Sequence, residues 1–246
     1  MLEVNIKYSI PGDAMIIGFV GFIGSGKDTA ADYLVNFHGF RRDSFANTLK
    51  DAVAAVFGWD RVLLEGRTKE AREWREQVDP WWAKRLNIPT LTPRWVLQYW
   101  GTEVCRHGFH DDIWIASVEN KMRKTSDNIV ISDVRFPNEI RAIHNAGGKV
   151  IRIKRGPEPD WYDAAVSFNK GPNGNATWAL SQRKLETLKI HASETAWVGG
   201  DIDTLIPNDS TIDELFQALK DQVSNPLASR EGLAREVAVG NWHKLT

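Results

Sequence analysis

Short apolar runs alternate with amphipathic helical patterns along most of the chain. The strongest run, residues 15–20, is bounded by glycine and predicts a buried parallel strand. Further strands are predicted at 43–46, 128–132, 149–154 and 204–207. Between them, apolar residues recur at helical spacing in 28–37, 47–57, 137–146 and 211–222. This alternation predicts an α/β fold in which helices cover both faces of a parallel sheet.

Two segments interrupt the alternation. Residues 58–127 hold no good strand pattern, and within them Thr92 followed by Pro93 is typical of a helix start, for a helix that should run to about Arg106. Residues 155–193 begin rich in Gly, Pro and Asn and continue as a basic helical stretch. We therefore predict one domain over 1–246, with a helical insertion at about 58–127 and a lid-like excursion from the sheet at about 155–193.

The composition narrows the class of protein. The chain has 246 residues, of which 42% are hydrophobic and 26% charged, as in soluble globular proteins. The lone Cys105 excludes an internal disulfide and a cysteine-rich zinc site. A formal net charge of −1 argues against nucleic-acid binding through bulk charge, and no apolar run approaches the roughly 20 residues that span a bilayer. Residues 1–13 have no signal-peptide core. We expect a cytoplasmic protein without a nucleic-acid or membrane partner.

The strongest chemical signal is the glycine-rich segment 21–29 (GFIGSGKDT), which lies between the first predicted strand and the first helix. Glycines let backbone N–H groups converge on phosphate oxygens, the helix N-terminus adds partial positive charge, and Lys27 can reach the β- and γ-phosphates. Asp28 stands where Ser or Thr usually follows the lysine, so it either holds Mg²⁺, directly or through water, or caps the helix. Thr29 is expected near the α-phosphate. A dinucleotide fold is disfavoured because only two of its three fingerprint glycines are present.

A second carboxylate follows the predicted strand 128–132. Asp133 has the position of a Walker-B magnesium ligand, and Arg135 lies beside it at the carboxyl end of the sheet, where ligands of open α/β folds bind. The alternative is that Asp133 caps the helix that begins near Pro137. Further arginines that could contact phosphate are Arg67, Arg72, Arg75, Arg155 and Arg183. For 65–76 the simpler interpretation is a solvated helix with Glu65–Lys69 and Arg72–Glu76 pairs.

Several blocks together resemble one known family. GSGKDTAADYL, LQYWGTEVCR, ISDVRFPNEIRAI, HASETA and TLIPNDSTIDELFQAL are similar to segments of the deoxynucleoside monophosphate kinases of tailed bacteriophages, over residues of about 15–222. The resemblance implies a three-layer P-loop NTPase fold of the nucleoside monophosphate kinase type, with a central five-stranded parallel sheet. It also implies ATP with Mg²⁺ as the donor and a deoxynucleoside 5′-monophosphate as the acceptor, in the host cytoplasm. A homodimer is left open.

The resemblance also implies site residues. The donor would be bound by Gly24, Ser25, Gly26, Lys27, Asp28 and Thr29, with Asn208 near the adenine. The reaction centre would hold Lys27, Asp133 and Arg135. Independently of the resemblance, the position of the excursion predicts that Arg183 acts from a lid, and the two motifs predict Mg²⁺ at Asp28 and Asp133, directly or through water. The acceptor would contact Lys50, Arg67, Arg75, Gln98 and Thr102. His191 is either a ligand contact or a helix-end residue.

Alternatives remain open at this point. A P-loop kinase of another small metabolite would differ only in the inserted segments, and a nucleotide-dependent switch or nucleic-acid-processing ATPase is less favoured. A GTPase is disfavoured because Asn169-Lys170-Gly171-Pro172 lacks the aspartate of the base-reading motif. The insertion is also rich in tryptophan. Most of these side chains should be core, but Trp74 or Trp100 could stack on the acceptor base.

Overall fold

A parallel sheet forms the centre of the protein in the computed structural model, which describes residues 14–172, 176–190 and 192–224. The described residues form five strands: β1 (Ile16–Val20), β2 (Arg41–Asp43), β3 (Ile129–Ile131), β4 (Lys149–Lys154) and β5 (Thr204–Pro207). Their order is β2-β3-β1-β4-β5 and every pairing is parallel, with Ile17 of β1 opposite Val130 on one side and Lys149 on the other. The predicted five-stranded parallel sheet is confirmed.

Helices cover both faces of this sheet. Successive residues of β1 point to opposite faces, so Ile17 and Phe19 pack with one helical layer while Ile16 and Val20 pack with the other. The first layer contains α1 (Lys27–His38) and α12 (Ile212–Ser224), and the second contains α7 (Ile113–Met122) and α8 (Pro137–Asn145). All five residues of β1 are buried, which explains why this strand is an unbroken apolar run in the sequence.

The second strand differs from its prediction. It spans Arg41–Asp43, not 43–46, and pairs Arg41 with Ile129 of β3. After Asp43 the chain turns: the Ser44 N–H bonds the Asp43 carboxylate at 2.8 Å, and α2 (Asn47–Phe57) follows. Phe45 is buried although it lies in this turn. Its hydrophobic side chain produced the misplaced strand signal.

The insertion is helical, as predicted, and has its own core. It contains α3 (Arg61–Glu65), α4 (Lys69–Glu76), α5 (Pro80–Leu86) and α6 (Pro93–Tyr99), and α6 continues as a π-helical segment, Trp100–His107. Thr92 caps α6 through a 3.1 Å bond from the Trp95 N–H, and Pro93 follows it. The aromatic side chains of this region pack on one another and on α2.

The excursion after β4 forms α9 (Tyr162–Asn169), α10 (Ala176–Leu188) and α11 (Ala192–Thr195). Phe168 and Trp178 stack at 5.5 Å and fix α9 against α10. His191 lies outside the described residues, as do 1–13 and the chain after Ser224. Across the described part of the chain, every helix is too short or too polar to cross a membrane.

Candidate active site

The glycine-rich segment forms a tight loop between β1 and α1. A Cβ on Gly21 would collide with the Ile153 carbonyl oxygen, and one on Gly26 would collide with the Asn208 amide. Gly26 also has a φ of 101°, which disfavours any residue with a side chain. No side chain caps α1 at this position, so Asp28 does not act as its cap. The backbone N–H groups at the start of α1 therefore remain available for an anion.

Lys27 is held inside this loop. Its ammonium group donates to the carbonyl oxygens of Gly21 at 2.7 Å and Phe22 at 2.8 Å. Burial lowers the pKa of Lys27 to about 8, and the nearby Arg135 charge adds to this effect, while Asp28 and Glu194 oppose it. The side chain is therefore still mostly protonated at neutral pH and can bind a phosphate oxygen.

Asp28 and Thr29 lie on the exposed side of α1. The Asp28 side chain is 82% exposed and lies 3.5 Å from the Arg42 guanidinium, and its carboxylate accepts a 3.2 Å hydrogen bond from the Ser132 hydroxyl. Thr29 is also exposed. Ser25, by contrast, is buried, and its hydroxyl has no hydrogen-bond partner among the described residues. The Asp28 carboxylate thus lies exposed beside the end of β3, where Arg42 and Ser132 contact it.

Asp133 follows β3 with Ser132 between them; the residue is half-buried, and its Oδ1 is shielded from solvent. The Ser44 hydroxyl donates to its Oδ2 at 2.5 Å, and its Oδ1 has no hydrogen-bond partner within the described residues. Burial raises the pKa of Asp133, against the Ser44 hydrogen bond and the charges of Lys50 and Arg135. Asp133 does not cap α8, because Phe136 is the N-cap residue there and the capping carboxylate comes from Glu139.

A cleft brings three of the predicted site residues together. Its walls come from the loop, the end of β3 and the segment around α11: Gly21, Ile23, Lys27, Asp133, Val134, Arg135, Ser193, Glu194 and Trp197. Arg135 crosses the cleft and donates to the Ser193 hydroxyl at 3.2 Å and to Glu194 at 3.4 Å. A basic group from each side, Lys27 and Arg135, therefore faces one small volume beside the Asp133 carboxylate.

Two of the residues predicted for the acceptor meet around the turn between α3 and α4. Lys50 donates to Glu65 at 2.9 Å, and the Arg75 guanidinium lies against Gly66. Burial, and then the Arg94 charge, lowers the pKa of Arg75. Glu65 also accepts from Arg61 at 2.7 Å, so the Glu65–Lys69 pair expected from the sequence is wrong. The helix breaks at Gly66 and turns Glu65 back towards α2.

The other predicted residues lie apart from these. Arg67, Gln98, Thr102 and Arg183 are exposed, and no side-chain contact joins them to the cleft in the part of the chain described. Asn208 donates from its side chain to the Ser25 carbonyl at 2.8 Å and so braces the loop. Trp74 and Trp100 pack edge-on against Trp59 and Phe57, at 6.1 Å and 5.6 Å, within the insertion core.

Comparison with known proteins identifies the family. The chain is 36% identical over 155 residues to a protein of Acanthamoeba polyphaga mimivirus that is provisionally named a deoxynucleotide monophosphate kinase, covering 57% of this chain and 74% of that relative. The chain belongs to the deoxynucleoside monophosphate kinase family. The deoxynucleoside-5′-monophosphate kinase of Escherichia phage T5 is 29% identical over 175 residues, which cover 51% of this chain and 70% of that enzyme. No family model matches the chain.

Solved structures with a similar arrangement are more distant from this kinase. Dephospho-CoA kinase from Campylobacter jejuni aligns with 87% of the chain at 15% identity and a TM-score of 0.39, with 98% of that protein covered. A gluconokinase from Sinorhizobium meliloti 1021 aligns with 93% of the chain and 98% of its own length, at 14% identity and a TM-score of 0.34. Because both scores are low, the fold of the kinase rests on the sheet order described above.

Four residues near the cleft of this kinase were missed at the level of sequence. Ser44 bonds Asp133, Glu194 bonds Arg135, and Glu139 and Arg106 lie behind Arg135. Ser44 was not considered for the site because the second strand was predicted to start two residues too late, which placed Ser44 inside the strand and not in the turn after it. Glu139 had a usable signal: a Glu two residues after the helix-starting Pro137 is the third helical residue, the position from which a carboxylate caps a helix start.

Proposed function

We propose that the protein transfers the γ-phosphoryl group of ATP to a deoxynucleoside 5′-monophosphate, giving a deoxynucleoside diphosphate and ADP. The observation that carries this proposal is the cleft in which Lys27 and Arg135 face each other beside Asp133, at the mouth of a phosphate-binding loop. Membership of the deoxynucleoside monophosphate kinase family supports the choice of acceptor. The proposal needs no nucleic-acid or membrane partner, and it assigns the enzyme to the cytoplasm.

The chain's own residues supply positioning and positive charge. The loop N–H groups and Lys27 hold the donor phosphates, and Arg135 stabilises charge on the phosphoryl group as it moves towards the acceptor. A phosphate acceptor has its second pKa at about 6, so it is already ionised at neutral pH and needs no general base. This matches a cleft whose carboxylate, Asp133, is hydrogen-bonded by Ser44 and contacts no histidine among the described residues.

The residues present fit a magnesium ion that is shared with the nucleotide. Asp133 Oδ1 is buried without a hydrogen-bond partner in the described structure, and Asp28 offers an exposed carboxylate that accepts a hydrogen bond from Ser132. No group of three or more His, Cys, Asp or Glu side chains forms a metal cage within the described residues. Mg²⁺ is commonly held by one or two carboxylates, with waters and phosphate oxygens as its other ligands. When bound, it would neutralise charge on the donor phosphates.

The acceptor side of the proposal rests on cations near Asp133. Lys50 acts on the Asp133 carboxyl electrostatically, and it shares the turn at Gly66 with Arg75. We assign these two residues to the acceptor phosphate. Gln98 and Thr102, on the helix that runs on to His107, are assigned to the nucleoside, and Arg67 and Arg183 to segments that close over it.

A coupled assay that measures ADP tests this function. The panel contains dAMP, dGMP, dCMP, dTMP and the four ribose counterparts, each with ATP and Mg²⁺. We expect ADP formation only when a nucleoside monophosphate is present, with deoxynucleotides preferred. Equal ATP turnover without an acceptor, or turnover stimulated by DNA alone, would overturn the proposal. No turnover with the whole panel would favour a kinase of another small metabolite.

A further inference from the structure

Glu139 lies immediately behind Arg135 and is only 4% exposed. Its Oε2 accepts two backbone hydrogen bonds, from the Arg135 N–H at 2.7 Å and from the Phe136 N–H at 3.1 Å. A capping glutamate normally bonds the N-cap N–H, which here belongs to Phe136. The additional bond to Arg135 fixes the backbone of the residue that crosses the cleft.

The second oxygen of the same carboxylate faces the insertion. Arg106 Nη2 lies 4.0 Å from Glu139 Oε1, and the Arg106 guanidinium lies 5.5 Å from the centre of the Phe136 ring. The Arg106 side chain is 21% exposed, so it reaches inwards from the helix surface. Glu139 therefore contacts the Arg135 backbone through one oxygen and approaches a cation of the insertion with the other.

Arg106 belongs to the π-helical segment Trp100–His107, which continues the helix that begins at Pro93. Thr102, assigned above to the acceptor, lies four residues earlier on the same segment. π-helical turns are rare and are often found at functional sites. The Trp114 indole donates to the Gly101 carbonyl at 2.9 Å and holds the segment against α7. A shift of this segment on acceptor binding would reach Arg106 directly.

We propose that Arg106 and Glu139 form a positioning pair that couples the acceptor-binding helix to Arg135. The pair does not touch the reacting atoms. It sets the backbone, and thereby the guanidinium, of Arg135 according to whether the helix is held by the acceptor. Burial, with the charge of Asp133, raises the pKa of Glu139 to about 7, against its backbone hydrogen bonds and the charge of Arg106. This inference rests on the proposed function, because it takes the acceptor to lie against that helix.

A double-mutant cycle tests the pair. The variants are Arg106→Met, Glu139→Gln and the double variant, each assayed with ATP and the preferred deoxynucleotide. We expect each single change to lower kcat about tenfold, with the KM for ATP within about twofold of wild type. The double variant should lose no more than the worse single variant, because the residues act as a unit. Arg106→Lys should recover part of kcat, and Arg123→Met, at an exposed arginine after α7, is the matched control.

The outcomes separate this inference from the function on which it rests. Single variants with wild-type kcat but a lowered melting temperature would reduce the pair to a structural contact, and losses that add in the double variant would refute the coupling. Both results leave the kinase activity of the wild type intact, whereas a wild type without nucleotide-dependent turnover would refute the function itself. If Glu139→Gln does not fold, the comparison of Arg106→Met with Arg106→Lys decides, because equal wild-type kcat in both would overturn the inference.

Discussion

The proposed donor side and the proposed acceptor side of the site are built in different ways. The donor side is one continuous segment, 21–29, whose shape is set by close packing of Gly21 against the Ile153 carbonyl and of Gly26 against the Asn208 side chain. The acceptor side is a set of side chains from several helices, joined by ion pairs such as Lys50–Glu65 and Arg61–Glu65. The loop depends on close approaches that any side chain would block, whereas the ion-pair network is made of side chains that can be exchanged one at a time. Changes on the donor side should therefore abolish most of the activity, and changes on the acceptor side should mainly alter the KM for the acceptor.

Lys27→Ala is the donor-side change from which we expect the largest loss of activity. The change removes the ammonium group that the loop holds beside Arg135, and so removes a charge aimed at the transferred phosphoryl group. We expect kcat/KM for ATP to fall about a thousandfold, with little change in melting temperature. Steady-state kinetics and thermal unfolding measure the two effects. Lys124→Ala, at an exposed lysine, is the control, and a Lys27→Ala enzyme within about threefold of wild type would contradict the assignment.

The pH dependence of the wild-type enzyme is a second test of the donor side. Burial lowers the pKa of Lys27 to about 8, so the binding-competent ammonium form is lost as the pH rises through that value. We expect kcat/KM for ATP to be level near pH 7 and to fall about tenfold per pH unit well above 8. Arg135→Met removes the neighbouring positive charge and should move the inflection to higher pH. A profile that stays level to about pH 9.5 would show that Lys27 does not carry the required proton.

The acceptor side is best tested with Glu65→Gln. Burial alone would raise the pKa of Glu65, but hydrogen bonds from Arg61 and Lys50 lower it to about 2, so it is ionised at neutral pH. Glutamine keeps the size and loses the charge that holds Lys50. We expect the KM for the acceptor to rise about fivefold, with the KM for ATP unchanged. Glu73→Gln, at the exposed Lys69–Glu73 pair, is the control. A rise in the KM for ATP alone would contradict the division into two sides.

A similar contrast, between local patterns and long-range contacts, explains which parts of the fold could be predicted from the sequence. Strands such as β1 and β4 are buried over most of their length, so they are largely apolar, and their bounds were predicted to within a residue. The edge strand β2 reads Arg-Arg-Asp and carries no apolar signal of its own. Its position depends on pairing with β3, which no local pattern contains.

The site residues also divide into those with a local sequence signal and those that depend on tertiary contacts. The loop and Asp133 could be proposed from the sequence because each lies next to a strand with a clear apolar pattern. The Lys50–Glu65 bond was missed because the helical spacing of 65–76 implied one continuous helix, whereas Gly66 breaks it. The capping of α8 was assigned to Asp133 as an alternative, but the carboxylate three residues after the N-cap, Glu139, performs it. Contacts that depend on where a helix breaks require the tertiary structure.

The brace between Asn208 and Ser25 has a consequence for how the protein matures. The two residues are 183 positions apart, and their hydrogen bond forms only when β5 has joined the sheet beside β4. During synthesis the loop leaves the ribosome well before the strand that supports it, because 183 positions separate the two partners. A nascent chain therefore completes its nucleotide pocket late. Acquisition of activity has to wait for β5, so chains that stop before β5 should sequester little ATP.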